Sequence, residues 1–149
     1  MKIVGFNIDK ILVERKSVIK PNLEIKSNLN IDSIKEDSVP FSKLPAAKFN
    51  FSFMVNYEPD TAKIEILGNV LTLIDDGEDV KETIKNWKKK DFSPEVKASL
   101  FNFILGKCNL KSIQLEDEMN LPLHVPFPKV TPNSSETDKS KDNRPNYTR

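Results

Sequence analysis

Residues Lys48 to Ile74 read KFNFSFMVNYEPDTAKIEILGNVLTLI. Phe49, Phe51, Phe53, Val55 and Tyr57 fall on every second position. That period turns all five side chains to one face of a β-strand. Glu58-Pro59-Asp60-Thr61 interrupts the run with turn residues. Ile64, Ile66, Leu71 and Leu73 resume it on the far side. The pattern predicts a long antiparallel hairpin with one strongly aromatic face. Gly68-Asn69 shifts the parity of the second apolar set, so a bulge is expected there. The aromatic row reads as core beneath covering helices, with an open groove as the alternative. No comparable run of catalytic residue types occurs in the chain, which points to a surface that binds rather than a pocket that transforms.

Two more strands are expected before the hairpin. Phe6-Asn7-Ile8-Asp9 alternates apolar and polar residues, and Ile11, Leu12 and Val13 extend it. Leu23, Ile25, Leu29 and Ile31 share one parity after the break at Lys20-Pro21-Asn22. Asp32 to Ala47, with Pro40 and Pro45, reads as a loop. Four strands joined by short turns suggest an antiparallel sheet.

The pattern becomes helical after Gly77. Asp75, Asp76, Glu78 and Asp79 place negative charge at a helix N-terminus, where it opposes the positive end of the dipole. Val80, Ile84 and Trp87 share a face, and Lys88, Lys89 and Lys90 supply the favoured sign at the C-terminal end. Ser93-Pro94-Glu95 is a second helix start. Ala98, Phe101, Leu105, Cys108, Ser112, Leu115 and Met119 recur at steps of three and four. They fit one long helix or a helix interrupted near Asn109. The prolines of Leu121-Pro122-Leu123-His124-Val125-Pro126-Phe127-Pro128 make an extended segment that should lie across an apolar surface.

At 149 residues the chain suits one domain over residues 1–130, followed by a polar tail over 131–149 with almost nothing to bury. Lys and Arg number 23 against 22 Asp and Glu, for a net +1. That charge gives no global field for nucleic acid or an anionic membrane. One cysteine precludes an intrachain disulfide and suits a reducing cytoplasm. Neither a signal peptide nor an apolar run of about 20 residues is expected, so no membrane insertion.

Candidates for chemistry are few. His124 is the only histidine, set among prolines without a matched nucleophile, and reads as a packing or surface residue. Cys108 lies on the helical stripe and reads as a buried, inert thiol. One cysteine and one histidine cannot make a familiar zinc site. The acidic cluster at Asp75 to Asp79 lacks EF-hand spacing and is better explained by helix capping. The four glycines form no phosphate loop, so no cofactor is expected. Lys85, Lys88, Lys89 and Lys90 beside Trp87 read as a solvated helix end rather than a nucleic-acid contact.

The order strand, strand, long hairpin, short helix, long helix, proline-containing end resembles the SecB family of protein-export chaperones, in its divergent branch. Phe6-Asn7-Ile8-Asp9-Lys10-Ile11 is similar to that family's first strand. Ile64-Glu65-Ile66-Leu67-Gly68-Asn69-Val70 is similar to its fourth. Asn120-Leu121-Pro122-Leu123-His124-Val125-Pro126-Phe127 resembles its Asn-Leu-Ala-Pro-Val-Asn-Phe end, and Lys129-Val130 continues it. The likeness runs over residues 3–128. It implies an α+β fold, with a four-stranded antiparallel sheet and two C-terminal helices packed on one side. It also implies homodimers or homotetramers, and apolar grooves that hold unfolded or nascent polypeptides without ATP. Trp87, Phe92, Phe101, Leu121, Leu123 and Phe127 are the residues expected to line such a groove. Glu65 occupies the position of an acidic residue that docks the SecA motor. Members of that family are strongly acidic, and a chain at +1 departs from them, which disfavours the motor contact. A protein with one dedicated partner, such as an antitoxin-associated relative, is the alternative. An enzyme and a nucleic-acid binder are disfavoured.

Overall fold

A computed structural model describes residues 1–132. The polar tail expected from Thr131 therefore lies outside the described residues beyond Pro132. Strands β1 (Lys2–Arg15), β2 (Glu24–Asp37), β3 (Ala46–Glu58) and β4 (Ala62–Leu73) precede helices α1 (Val80–Lys88) and α2 (Pro94–Glu118). The sheet is antiparallel, in the order β1-β4-β3-β2. The β3–β4 hairpin forms as its alternation predicts, in unbroken register from Ala46↔Leu73 to Tyr57↔Ala62. Its turn is pinned by the Thr61 amide donating to the Tyr57 carbonyl at 2.9 Å. β1 and β2 are consecutive in sequence but occupy opposite edges. The crossover between them is tied down where the Lys16 and Ser17 amides donate to the Thr61 carbonyl at 2.8 and 3.3 Å.

One face of the sheet is the core. Phe49, Phe51, Phe53, Val55 and Tyr57 of β3 are fully buried, as are Ile64, Ile66 and Val70 of β4. Burial of a side chain of this size stabilises by roughly 1.5–3 kcal/mol, so the hairpin carries much of the folding energy. The opposite face is polar, with Asn50 donating to Ser33 and Ser52 donating to Asp32. An antiparallel sheet with one wet face needs this alternation.

Three expectations are corrected. There is no bulge at Gly68: Ile66, Gly68, Val70, Thr72 and Ile74 keep one parity, and Leu71 and Leu73 turn to the other face. The register shifts instead lie in β1, between Ile3 and Gly5 and between Ile8 and Lys10, which makes Val4 and Asp9 the extra residues. Gly68 serves close approach. A Cβ there would sit 2.3 Å from the Asn7 carbonyl oxygen and 2.7 Å from Phe51 Cζ, in the space where Phe6 stacks on Phe51 at 5.5 Å. Second, Asp32 does not begin a loop. β2 shifts register between Ile31 and Ser33 and continues to Asp37. That extra residue flips the parity and carries Ile34 into the core.

Third, the buried line of α2 is Leu100, Ile104, Cys108, Ser112 and Glu116, not the row from Ala98 to Met119. Only Cys108 and Ser112 are common to both; Ala98 and Met119 are exposed. A four-residue step overshoots a full helical turn by about 40°, so the line winds around the helix instead of keeping to one side. The helix runs unbroken through Asn109. α1 begins with Asp79, whose side chain accepts the Lys81 amide at 3.0 Å, and buries Val80.

Candidate functional site

Trp87, Phe92 and Phe101 meet where α1 turns into α2. The Trp87 ring is edge-on to Phe49 at 5.3 Å and to Phe92 at 5.0 Å, and stacks on Phe101 at 6.3 Å. Lys97 Nζ lies 5.8 Å from the ring centres of both Trp87 and Phe101, a cation–π arrangement. All three aromatics are half-buried. They bridge the end of β3 to the helices while keeping part of each ring in contact with solvent. Beside Phe92 a cleft of about 460 Å³ is walled by Asp75, Glu78, Asp79, Glu82 and Asp91.

Leu121, Leu123 and Phe127 lie apart from this cluster, on the strap that follows α2. Leu121 is only 6% exposed and belongs to the core, whereas Leu123 and Phe127 are 38% and 52% exposed. The six expected groove residues thus divide into an aromatic corner at the Phe49 end of β3 and a strap near Phe53 and Tyr57. Glu65 is on the polar face of the sheet, away from both, 3.9 Å from Lys10 Nζ and 3.6 Å from Lys63 Nζ.

The strap is held by a buried polar cluster that sequence reasoning did not assemble. Glu116 Oε1 accepts from Tyr57 Oη at 3.0 Å and from the His124 amide at 3.3 Å, and lies 2.5 Å from His124 Nδ1. Tyr57 Oη also lies 2.7 Å from the Pro122 carbonyl. His124 Nε2 is 2.9 Å from Asn109 Oδ1. A ring with protons on both nitrogens donates to both oxygens, whereas a ring with its proton on Nδ1 alone needs the Asn109 amide turned round to donate to Nε2. The side chains of His124 and Glu116 are 2% and 0% exposed. Burial raises the Tyr57 phenol far above its ordinary range, and the neighbouring Glu116 carboxylate adds to this. Among the described residues, Glu116 Oε2 and Ser112 Oγ find no hydrogen-bond partner although buried. A glutamate continuing the line Leu100, Ile104, Cys108 and Ser112 at every fourth position was the available signal, and the expected stripe, which leaves that line after Ser112, hid it.

Burial pushes the Cys108 thiol up to about 12, which suits an inert core residue. Among the described residues no group of His, Cys, Asp and Glu is placed to hold a metal ion. Among them, no helix is long and apolar enough to cross a membrane.

No family model matches the chain, and no curated protein matches it in sequence. Solved structures do match. One is a SecB-like chaperone of Mycobacterium tuberculosis in complex with a ChAD peptide from the HigA1 antitoxin. It aligns with a TM-score of 0.54 at 12% identity, over 88% of this chain and 91% of that chain. Four antiparallel strands in the order β1-β4-β3-β2, followed by a short and a long helix, give this chain a SecB-like fold.

Proposed function

We propose that this chain is a non-catalytic, chaperone-like polypeptide-binding protein that holds unfolded or nascent chains through apolar surface, without ATP. The observation that carries the reading is a SecB-like fold whose helix side keeps large apolar side chains in contact with solvent. Trp87, Phe92 and Phe101 form one such surface, and Leu123 and Phe127 another. Burying apolar area is worth about 25 cal/mol per Å², so an extended segment covering several hundred Å² binds in the micromolar range after ordering costs. Leu121 anchors the strap, and the exposed residues around it do the binding. The protein works in the cytoplasm as a homodimer or homotetramer, joined through the β1 edge. Docking of a SecA-type motor at Glu65 is disfavoured, because Lys10 and Lys63 already flank that carboxylate and the chain is nearly neutral.

A second reading is a dedicated partner. It is supported by the similar mycobacterial chaperone, which was solved with a peptide from an antitoxin. One experiment separates the two. Several unrelated denatured proteins are diluted into buffer with near-stoichiometric amounts of this protein and no nucleotide. A holdase delays aggregation of most of them. Protection of a single client favours the dedicated partner, and protection of none ends the holdase reading.

A further inference from the structure

The strap is gripped by its backbone as well as by the His124 ring. The Tyr57 hydroxyl, whose one proton is shared between Glu116 Oε1 and the Pro122 carbonyl, reaches the carbonyl, and Glu116 Oε1 accepts the His124 amide. In an extended chain a carbonyl and the amide two residues later point to the same side. Any extended polypeptide offers that pair, whatever its side chains. The strap also has the composition of an unfolded client, with apolar residues between prolines and no charge from Leu121 to Pro128 save what His124 carries. Its fit to the site is incomplete, since no donor among the described residues reaches the buried Glu116 Oε2. A buried acceptor left unpaired is costly, so a segment that supplied one more N–H would satisfy the site better than the strap does.

We propose that the strap is a built-in stand-in for the client. It occupies a backbone-reading site made by Tyr57 and Glu116. It gives way to an extended apolar segment of another polypeptide, which takes over the same two bonds and brings a further donor to Glu116 Oε2. This inference rests on the polypeptide-binding reading above. The exchange gives up the His124 ring contacts to Glu116 Oε1 and Asn109, and the client offsets them with the added donor and the apolar area it buries, without an external energy source. It also sets a threshold: a client must bind better than the strap, and its apparent affinity scales with the fraction of molecules whose strap is open.

The test uses the full chain and a fluorescently labelled, reduced and carboxymethylated lactalbumin as a permanently unfolded probe. Two quantities are read: anisotropy of the probe, and amide exchange over residues 120–128. In the wild type, probe binding should speed exchange at the His124 amide and its neighbours. His124→Ala removes the ring contacts of Nδ1 to Glu116 Oε1 and of Nε2 to Asn109 Oδ1 but leaves Tyr57 and Glu116 in place. It should open the strap and tighten probe binding about tenfold, the factor expected when a mostly closed site becomes mostly open. Binding that leaves strap amides as protected as before overturns the inference, as does a folded His124→Ala protein that binds no tighter. If that variant does not fold, the exchange measurement on the wild type decides alone. No probe binding by either protein, with the strap of free His124→Ala shown open by exchange, overturns the polypeptide-binding reading and this inference with it.

Discussion

Tyr57 ends the aromatic row of β3 and is the member with a polar tip. Its period-two position placed it in the core from the sequence alone, but its hydroxyl acquires a role only from Glu116, 59 residues later. Tyr57→Phe keeps the ring and removes a donor shared by Glu116 Oε1 and the Pro122 carbonyl. Leaving the buried Glu116 carboxylate and the half-buried Pro122 carbonyl short of a donor should cost about 1–3 kcal/mol, read as a lower urea midpoint at unchanged slope. Cys108 gives a second check. With the thiol pushed up to about 12, its thiolate fraction at neutral to mildly alkaline pH is small. Iodoacetamide at pH 8 should therefore modify the folded protein roughly a thousandfold more slowly than the urea-unfolded chain. Comparable rates would place the thiol at the surface.

Among the elements, β1 behaves least like its sequence. Its alternation was legible, but its neighbour was not, because a crossover sends β2 to the opposite edge and leaves β1 beside β4. As an edge strand it exposes Ile8 and Ile11, at 37% and 39%, together with an unpaired row of backbone groups. Leu110 of α2 is exposed as well, and apolar residues surround that helix on several sides. A helix apolar on more than one side is one that expects cover. A second copy would provide it for both elements. Light scattering of the wild type should give a mass two or four times the 17.0 kDa of one chain, and Ile11→Glu should return it to one. A monomeric wild type at micromolar concentration would rule out the assembly.

For the molecule as a whole, the binding reading depends on apolar surface that folding leaves uncovered. Phe127 is more than half exposed, so its replacement by a charge should spare the fold and weaken client holding. Phe127→Asp should retain the far-ultraviolet circular dichroism and thermal midpoint of the wild type. It should lose several-fold in protection of a denatured client, measured by light scattering over time. Equal protection by the variant would move the binding surface to the Trp87 corner. Trp87, the single tryptophan, offers a direct probe of that corner through its emission maximum.

The periodicities of the chain alone determined the β3–β4 hairpin, its inward aromatic face, the start of α1 and the unusual strap. Each depends on residues close together in sequence, where side-chain direction follows from a backbone repeat of two or about 3.6. Three features were decided only by tertiary structure. They are the place of β1 in the sheet, the bulges at Val4, Asp9 and Asp32, and the meeting of Tyr57, Asn109, Glu116 and His124. A bulge is settled by what the neighbouring strand presents, as Gly68 is by the Asn7 carbonyl and the Phe51 ring. A buried carboxylate is tolerable only once donors from distant elements converge on it, and no local pattern announces that convergence.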